Sequence, residues 1–163
     1  MDDQNFELRP AESDAIPKEL AILPLKGTVI YPGLAVPLII GRERSIQLID
    51  DALGSDKMIG VVTQKDPKVQ DPAPEEMFSI GTAASILKMV RVSERDIRVV
   101  VQGVARIKVD RYLESDPYYI ARVSHLEEDY IEGITIEALS TNVKDVFRKV
   151  VELSPQVPSE IMG

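Results

Sequence analysis

Hydrophobic positions along this chain change period several times, and each change predicts an element. The apolar run 20–23, closed by Pro24, predicts a first strand; 35–40, after the turn signal Tyr31-Pro32-Gly33, predicts a second. Between Gly41 and Gly54 the spacing becomes helical. Ile46, Leu48, Ile49, Ala52 and Leu53 gather on one side, Asp50 and Asp51 point outward, and Gly54 stands where a helix ends. The run 58–63 predicts a buried strand, and 66–77 an acidic, proline-rich loop. Segments 80–92 and 97–109 flank the polar turn Ser93-Glu94-Arg95-Asp96 and predict a long hairpin. In its second arm Ile97, Val99, Val101, Gly103, Ala105, Ile107 and Val109 share one parity. Arg98, Gln102, Arg106, Lys108 and Asp110 share the other, with Val100 and Val104 as exceptions. Such alternation puts one face in a core and the other in water. Gly103 inside so long a run predicts a bulge or bend, as a curled sheet requires. Residues 118–126 supply the last strand.

From Ile134 the pattern is helical again. Ile136, Leu139, Val143, Val146, Val150 and Leu153 are spaced 3, 4, 3, 4, 3, a seam that would pack on another helix, and Phe147 and Val151 widen it. Pro155 ends this helix, and Pro158-Ser159-Glu160-Ile161 reads as the opening of the next, so the sequence reads as a piece of a longer protein. The expected fold is therefore α+β: a curled, barrel-like sheet with one inserted helix over 20–128. A linker and the first helix of an α-helical subdomain follow over 129–163. Residues 1–19, acidic and punctuated by Pro10 and Pro17, read as a flexible leader.

Composition narrows the chemistry. With 163 residues, 44% hydrophobic and 28% charged, the chain can bury a core without a staple. It has no Cys and a single His, His125, which excludes zinc ribbons, iron–sulfur clusters, thiol catalysis and disulfides. The net charge is −8, and six acids against two bases in the first nineteen residues carry half of it. The start Met1-Asp2-Asp3 is wrong for a signal peptide, and no apolar run is long enough for a membrane span. A cytoplasmic location without a membrane partner is expected.

Several apparent motifs dissolve on inspection. Ser85-Ile86-Leu87-Lys88 fits S-x-x-K, but in a strand an odd separation sends the two side chains to opposite faces. His125, without a second ligand, reads as a hydrogen-bonded structural residue. Glu127-Glu128-Asp129 with Glu132 reads as an acidic linker, and the adjacent Asp50 and Asp51 diverge on their helix. Residues 88–122 hold eight bases and five acids. RNA recognition wants aromatics interleaved with such bases, and these are scarce, so nucleic acid is disfavoured. The apolar residues Tyr31, Pro32 and Leu34 on a turn, Met77 and Phe78 after an acidic loop, and Met89 are the candidates for a permissive binding surface.

Taken in order, Leu23-Pro24-Leu25, Tyr31-Pro32-Gly33, Pro37-Leu38, Gly41-Arg42-Glu43, Ser45-Ile46, Val62-Thr63-Gln64-Lys65, Ile80-Gly81-Thr82 and Val101-Gln102-Gly103 with Arg106 resemble the N-terminal domain of the Lon ATP-dependent proteases. The resemblance implies a PUA-like β-rich subdomain and the first helix of a helical one. In that family the region precedes an ATPase and a Ser–Lys protease, helps select unfolded, damaged or tagged proteins, and supports homo-hexamer assembly. ATP and Mg are then implied only for the parent, and this chain is expected to be non-catalytic with no cofactor. No G-x-x-x-x-G-K-[ST] phosphate loop occurs in it. The competing readings are a stand-alone adaptor of the same fold and an RNA-binding PUA-like module.

Overall fold

The computed structural model describes residues 16–93, 96–127 and 133–153. The chain separates into two compact units, 1–127 and 128–163. In the first, strands β1 (Glu19–Leu25) and β2 (Ala35–Ile40) precede helix α1 (Glu43–Leu53). Strands β3 (Met58–Thr63), β4 (Ile80–Arg91), β5 (Ile97–Glu114) and β6 (Tyr119–His125) follow, with a 3-10 turn at Pro74–Glu76. The second unit contains α2 (Ile134–Leu153).

The strand order is β2-β5-β4-β3-β1-β6, and β5 also pairs with β6, so five strands close into a ring with β2 attached outside it. β1 and β3 run parallel, and every other pairing is antiparallel. β1 runs through Pro24 rather than ending there. β6 pairs only with Glu19–Ile22, so one edge of β1 is open at Pro24 and the missing N–H is tolerated.

The eighteen-residue β5 makes this closure possible by serving two cores. Its Ile97, Val99 and Val101 pack with Leu48, Ile49 and Ala52 of α1, while Ile107 and Val109 pack with Ile22, Met77 and Val123. Between these stretches, Ala83 pairs with Ala105 but Ala84 with Gly103, which leaves Val104 as a bulge. The strand bends at the glycine, as its place in the pattern predicts. Two further bulges, at Asp110 and Leu113, curl β5 onto β6.

Helix α1 buries Ser45, Leu48, Ile49 and Ala52 and exposes Asp50 and Asp51. Gly54 caps it in an ordinary right-handed conformation (φ −79°). The left-handed turn expected after such a helix falls instead on Lys57 (φ 61°).

In α2 the seam residues Ile136, Leu139, Val143, Val146, Val150 and Leu153 are all exposed, as is Phe147. Leu139 is 55% exposed. Leu139→Ala is therefore expected to change stability by less than about 1 kcal/mol, against about 2–5 for a buried leucine. Urea melts at two protein concentrations check this, and a large or concentration-dependent loss would show that the seam is covered in solution.

Candidate functional site

The turn after β1 is built for display. Pro32 supplies the fixed φ and Gly33 the positive φ (82°) of a type II turn, closed by the Leu34 N–H donating to the Tyr31 carbonyl at 3.2 Å. The turn is pinned to β5: the Gly33 N–H donates to the Gly103 carbonyl at 2.8 Å, and the Gly103 N–H to the Leu34 carbonyl at 2.9 Å. A β-carbon at position 103 would lie 2.3 Å from the Tyr31 carbonyl oxygen, so only glycine admits this approach. Tyr31 is 61% exposed, Leu34 is exposed, and Pro32 is half-buried.

The preceding segment is also tied down. The Thr82 hydroxyl donates to the Ile30 carbonyl and the Thr63 hydroxyl to the Thr28 carbonyl, each at 2.6 Å. Ile30 is thereby buried and Val29 turned outward. Val29, Phe78 and Ile80, all exposed, line one hollow of about 280 Å³ floored by Val61 and Gly81.

Two of the expected surface residues are placed elsewhere. Met77 is 3% exposed, packed among Ile22, Val62 and Ile107, and its Sδ receives the Tyr112 hydroxyl at 3.8 Å. Met77 bridges to Gln64 while the Phe78 N–H donates to the Thr63 carbonyl, so the two residues follow strand alternation and only Phe78 faces out. Met89 is half-buried against the α1-side core. Ile86 pairs with Val101 and Lys88 with Val100, so Leu87 is bulged out. That extra residue inverts parity and turns Met89 inward opposite the buried Val99, leaving Leu87 and Val90 exposed.

The same bulge alters the reading of Ser85 and Lys88. They pair with Gln102 and Val100, two positions of one parity, and so share a face. His125 is exposed at the end of β6 and carries no side-chain hydrogen bond among the described residues, contrary to the bonded role expected of it. Glu128, Asp129 and Glu132 lie outside the described residues, and no group of metal-ligating side chains occurs among the described ones. Among the bases of 88–122, Arg91 pairs with Asp50 at 3.2 Å and Arg122 with Glu19 at 3.0 Å.

Pattern reading missed Val29, Ile80 and above all Ile39, which is 73% exposed. β2 is apolar on both faces, so no polar parity marks its outward side. Ile40 is buried, Val36 and Leu38 are half-buried, and Ala35, Pro37 and Ile39 face out. Also unread was a polar cluster at the start of α1. Arg44 holds Asp71 at 3.0 Å, donates to the carbonyls of Pro117 and Ser115, and stacks on the Tyr119 ring at 5.3 Å. The Tyr118 hydroxyl donates to Asp51 at 2.9 Å; burial, then that bond, raises its pKa. Burial, reinforced by Tyr119 and Glu75, pushes the Tyr112 phenol up to about 12.

An α+β ring of five strands with an added edge strand and an inserted helix defines the class. The solved N-terminal domain of Lon protease from the Mycobacterium avium complex shares this fold, with TM-score 0.63 and 22% identity over 83% of this chain and 68% of that one. The Lon N-terminal domain protein from Xanthomonas campestris does so at TM-score 0.61 and 19% identity, over 85% of this chain and 84% of that one. Residues 19–163 match the ATP-dependent protease La (LON) substrate-binding domain, and the chain belongs to that family.

In sequence it is 42% identical over 151 residues to a Lon protease of Dictyoglomus thermophilum, covering 93% of this chain and 19% of the relative. It is 41% identical over 145 residues to Lon protease 2 of Myxococcus xanthus, covering 88% of this chain and 18% of the relative. The chain thus spans less than a fifth of the length of these proteases. No described helix is long and apolar enough to cross a membrane.

Proposed function

We propose that this chain captures unfolded or damaged proteins through exposed apolar side chains and delivers them to the ATPase and protease domains of a Lon-type parent. In this reading the parent is a cytoplasmic homo-hexamer that uses ATP and Mg, and this domain breaks no bond itself. The observation that carries the reading is the pinned turn, where one hydrogen bond accepted and one donated by the Gly103 backbone hold the turn that exposes Tyr31 and Leu34. A turn whose backbone is ordered before the client arrives loses little further backbone entropy on binding, which favours capture. The hollow beside Val29, Phe78 and Ile80 adds a second apolar foothold. In this reading the binding residues are Tyr31, Pro32, Leu34 and Phe78, and the α2 seam is proposed to face the rest of the helical subdomain.

A disordered ligand loses entropy on binding, so affinity for one domain is expected to be about micromolar or weaker, and six copies would raise it by effective concentration. The test is titration of the 163-residue chain with a reduced, unfolded protein and with its folded form. Leu34→Ser and Phe78→Ser are each expected to weaken unfolded-protein binding about five- to tenfold, because a shallow contact covers only part of the side chain and recovers about 1–1.4 of the roughly 1.5–3 kcal/mol that full burial contributes. Equal binding of both forms, or no effect of either substitution, would overturn the reading. An RNA-binding module is supported less well, because Arg91 and Arg122 are already paired with carboxylates.

A further inference from the structure

The start of α1 has the makings of a ligand site separate from the apolar turn. Arg42 is the N-cap, in extended conformation and without a side-chain cap, and the first helical bond is the Ile46 N–H to the Arg42 carbonyl at 2.9 Å. The amides of Glu43, Arg44 and Ser45 therefore donate to nothing among the described residues, and they sit at the positive end of an eleven-residue helix. A second observation points to a ligand. Ser45 is only 6% exposed, its hydroxyl has no hydrogen-bond partner among the described residues, and it lines the pocket in front of these amides.

The pocket measures about 200 Å³, and Ile22, Leu48 and the ring of Tyr118 form its apolar side. A dry cavity of about 150 Å³ already holds a benzene-sized group, so one large side chain fits. The charges around it are Arg42, Glu43, Arg44 and Asp71, with Asp51 behind the Tyr118 hydroxyl. Asp71 is taken up by Arg44. Arg42 bonds only to the neutral Gln64 amide oxygen at 2.9 Å and the Val69 carbonyl at 3.5 Å, with no carboxylate in ion-pair range among the described residues. Burial lowers its pKa, and the attraction of the nearby Asp71 offsets this only in part.

We propose that this pocket binds the C-terminal residue of a polypeptide, its carboxylate on the free amides of α1, the Ser45 hydroxyl and Arg42, and its apolar side chain against Ile22, Leu48 and Tyr118. A C-terminal residue carries anion and hydrocarbon on one α-carbon, which matches donors and apolar wall placed side by side. An aspartate or glutamate side chain puts its charge where the pocket requires hydrocarbon. The adjoining trough of about 580 Å³ shares Pro24, Arg42, Ser45 and Gln70 with the pocket and gives the preceding residues a path along β2. The site does not depend on the apolar turn.

The test is fluorescence anisotropy with a labelled hexapeptide, Gly-Ser-Gly-Ala-Ala-Leu, as free acid and as C-terminal amide. The amide is expected to bind at least tenfold more weakly. Ser45→Ala should lower affinity for the acid about threefold, and Ser45→Asp should abolish the acid–amide difference by repulsion, its carboxylate being favoured at the helix start and its fold checked by urea melting. Leu34→Ser should leave the acid–amide ratio unchanged, which separates failure of this site from failure of the apolar turn. Equal binding of acid and amide, or unchanged preference in Ser45→Asp, would overturn the proposal.

Discussion

Gly103→Ala is expected to destabilise the chain by about 3 kcal/mol and to release the turn it anchors. The new β-carbon would lie 2.3 Å from the Tyr31 carbonyl oxygen, 2.9 Å from its carbon and 3.2 Å from the Pro32 α-carbon. All three are backbone atoms, so no rotamer relieves the clash, and the turn must move away from β5. Overpacking of this kind costs about 1–3 kcal/mol, and two backbone hydrogen bonds of about 1 kcal/mol each are lost with it. Gly60 is the internal control. There a β-carbon would lie 2.6 Å from Ile22 Cδ1, the far end of a flexible side chain, so Gly60→Ala should cost distinctly less. Urea midpoints of the two variants at unchanged m-value decide the matter, and a Gly103→Ala loss at or below that of Gly60→Ala would refute the argument. Because the turn presents Tyr31 and Leu34, the same substitution should also weaken unfolded-protein binding at temperatures where the domain remains folded.

Ile107→Ala is expected to cost about 4 kcal/mol, towards the upper end for such a truncation. Ile107 is fully buried at the closure of the ring, opposite Gly81 on β4 and His125 on β6. Cavity cost depends on how far the surroundings can collapse into the hole. Here one cross-strand neighbour is a glycine, and Gly60 faces the Ile107 Cδ1 position as well, so two sides have no side chain to move in. The measurement is again a denaturant midpoint, supported by thermal melting. A loss below about 1.5 kcal/mol would mean that the ring contracts around the gap and closes by backbone hydrogen bonds alone.

The period of the pattern was a sound guide wherever each face of an element met one environment throughout. The odd positions 97–109 of β5 are all buried and α1 sits where its stripe places it. Gly103 is next to a bulge, as its interruption of a long run implies. The site was less legible. Tyr31 and Leu34 are signalled by turn chemistry and Phe78 by its neighbouring acidic loop, and all three are exposed. Met77 and Met89 were misplaced for a common reason: parity holds only while the ladder keeps its register. The Leu87 bulge shifts it for Met89 and for the Ser85–Lys88 pair, and the Gln64–Met77 bridge starts a new alternation that sequence spacing does not announce.

What the amino-acid order determined alone is the set of elements, the side of β5 and α1 that enters the core, and the family likeness carried by its short ordered motifs. Each of these rests on local sterics or on a period within one segment, and both are written in neighbouring residues. Tertiary structure decided which apolar residues stay in water, that Arg44 is spent on Asp71 and the backbone carbonyls of Ser115 and Pro117, and that Ser45 ends up unpartnered before three free amides. Those outcomes depend on which strands meet and where a ladder slips by one residue. They join positions up to 73 residues apart, and no local pattern carries that information.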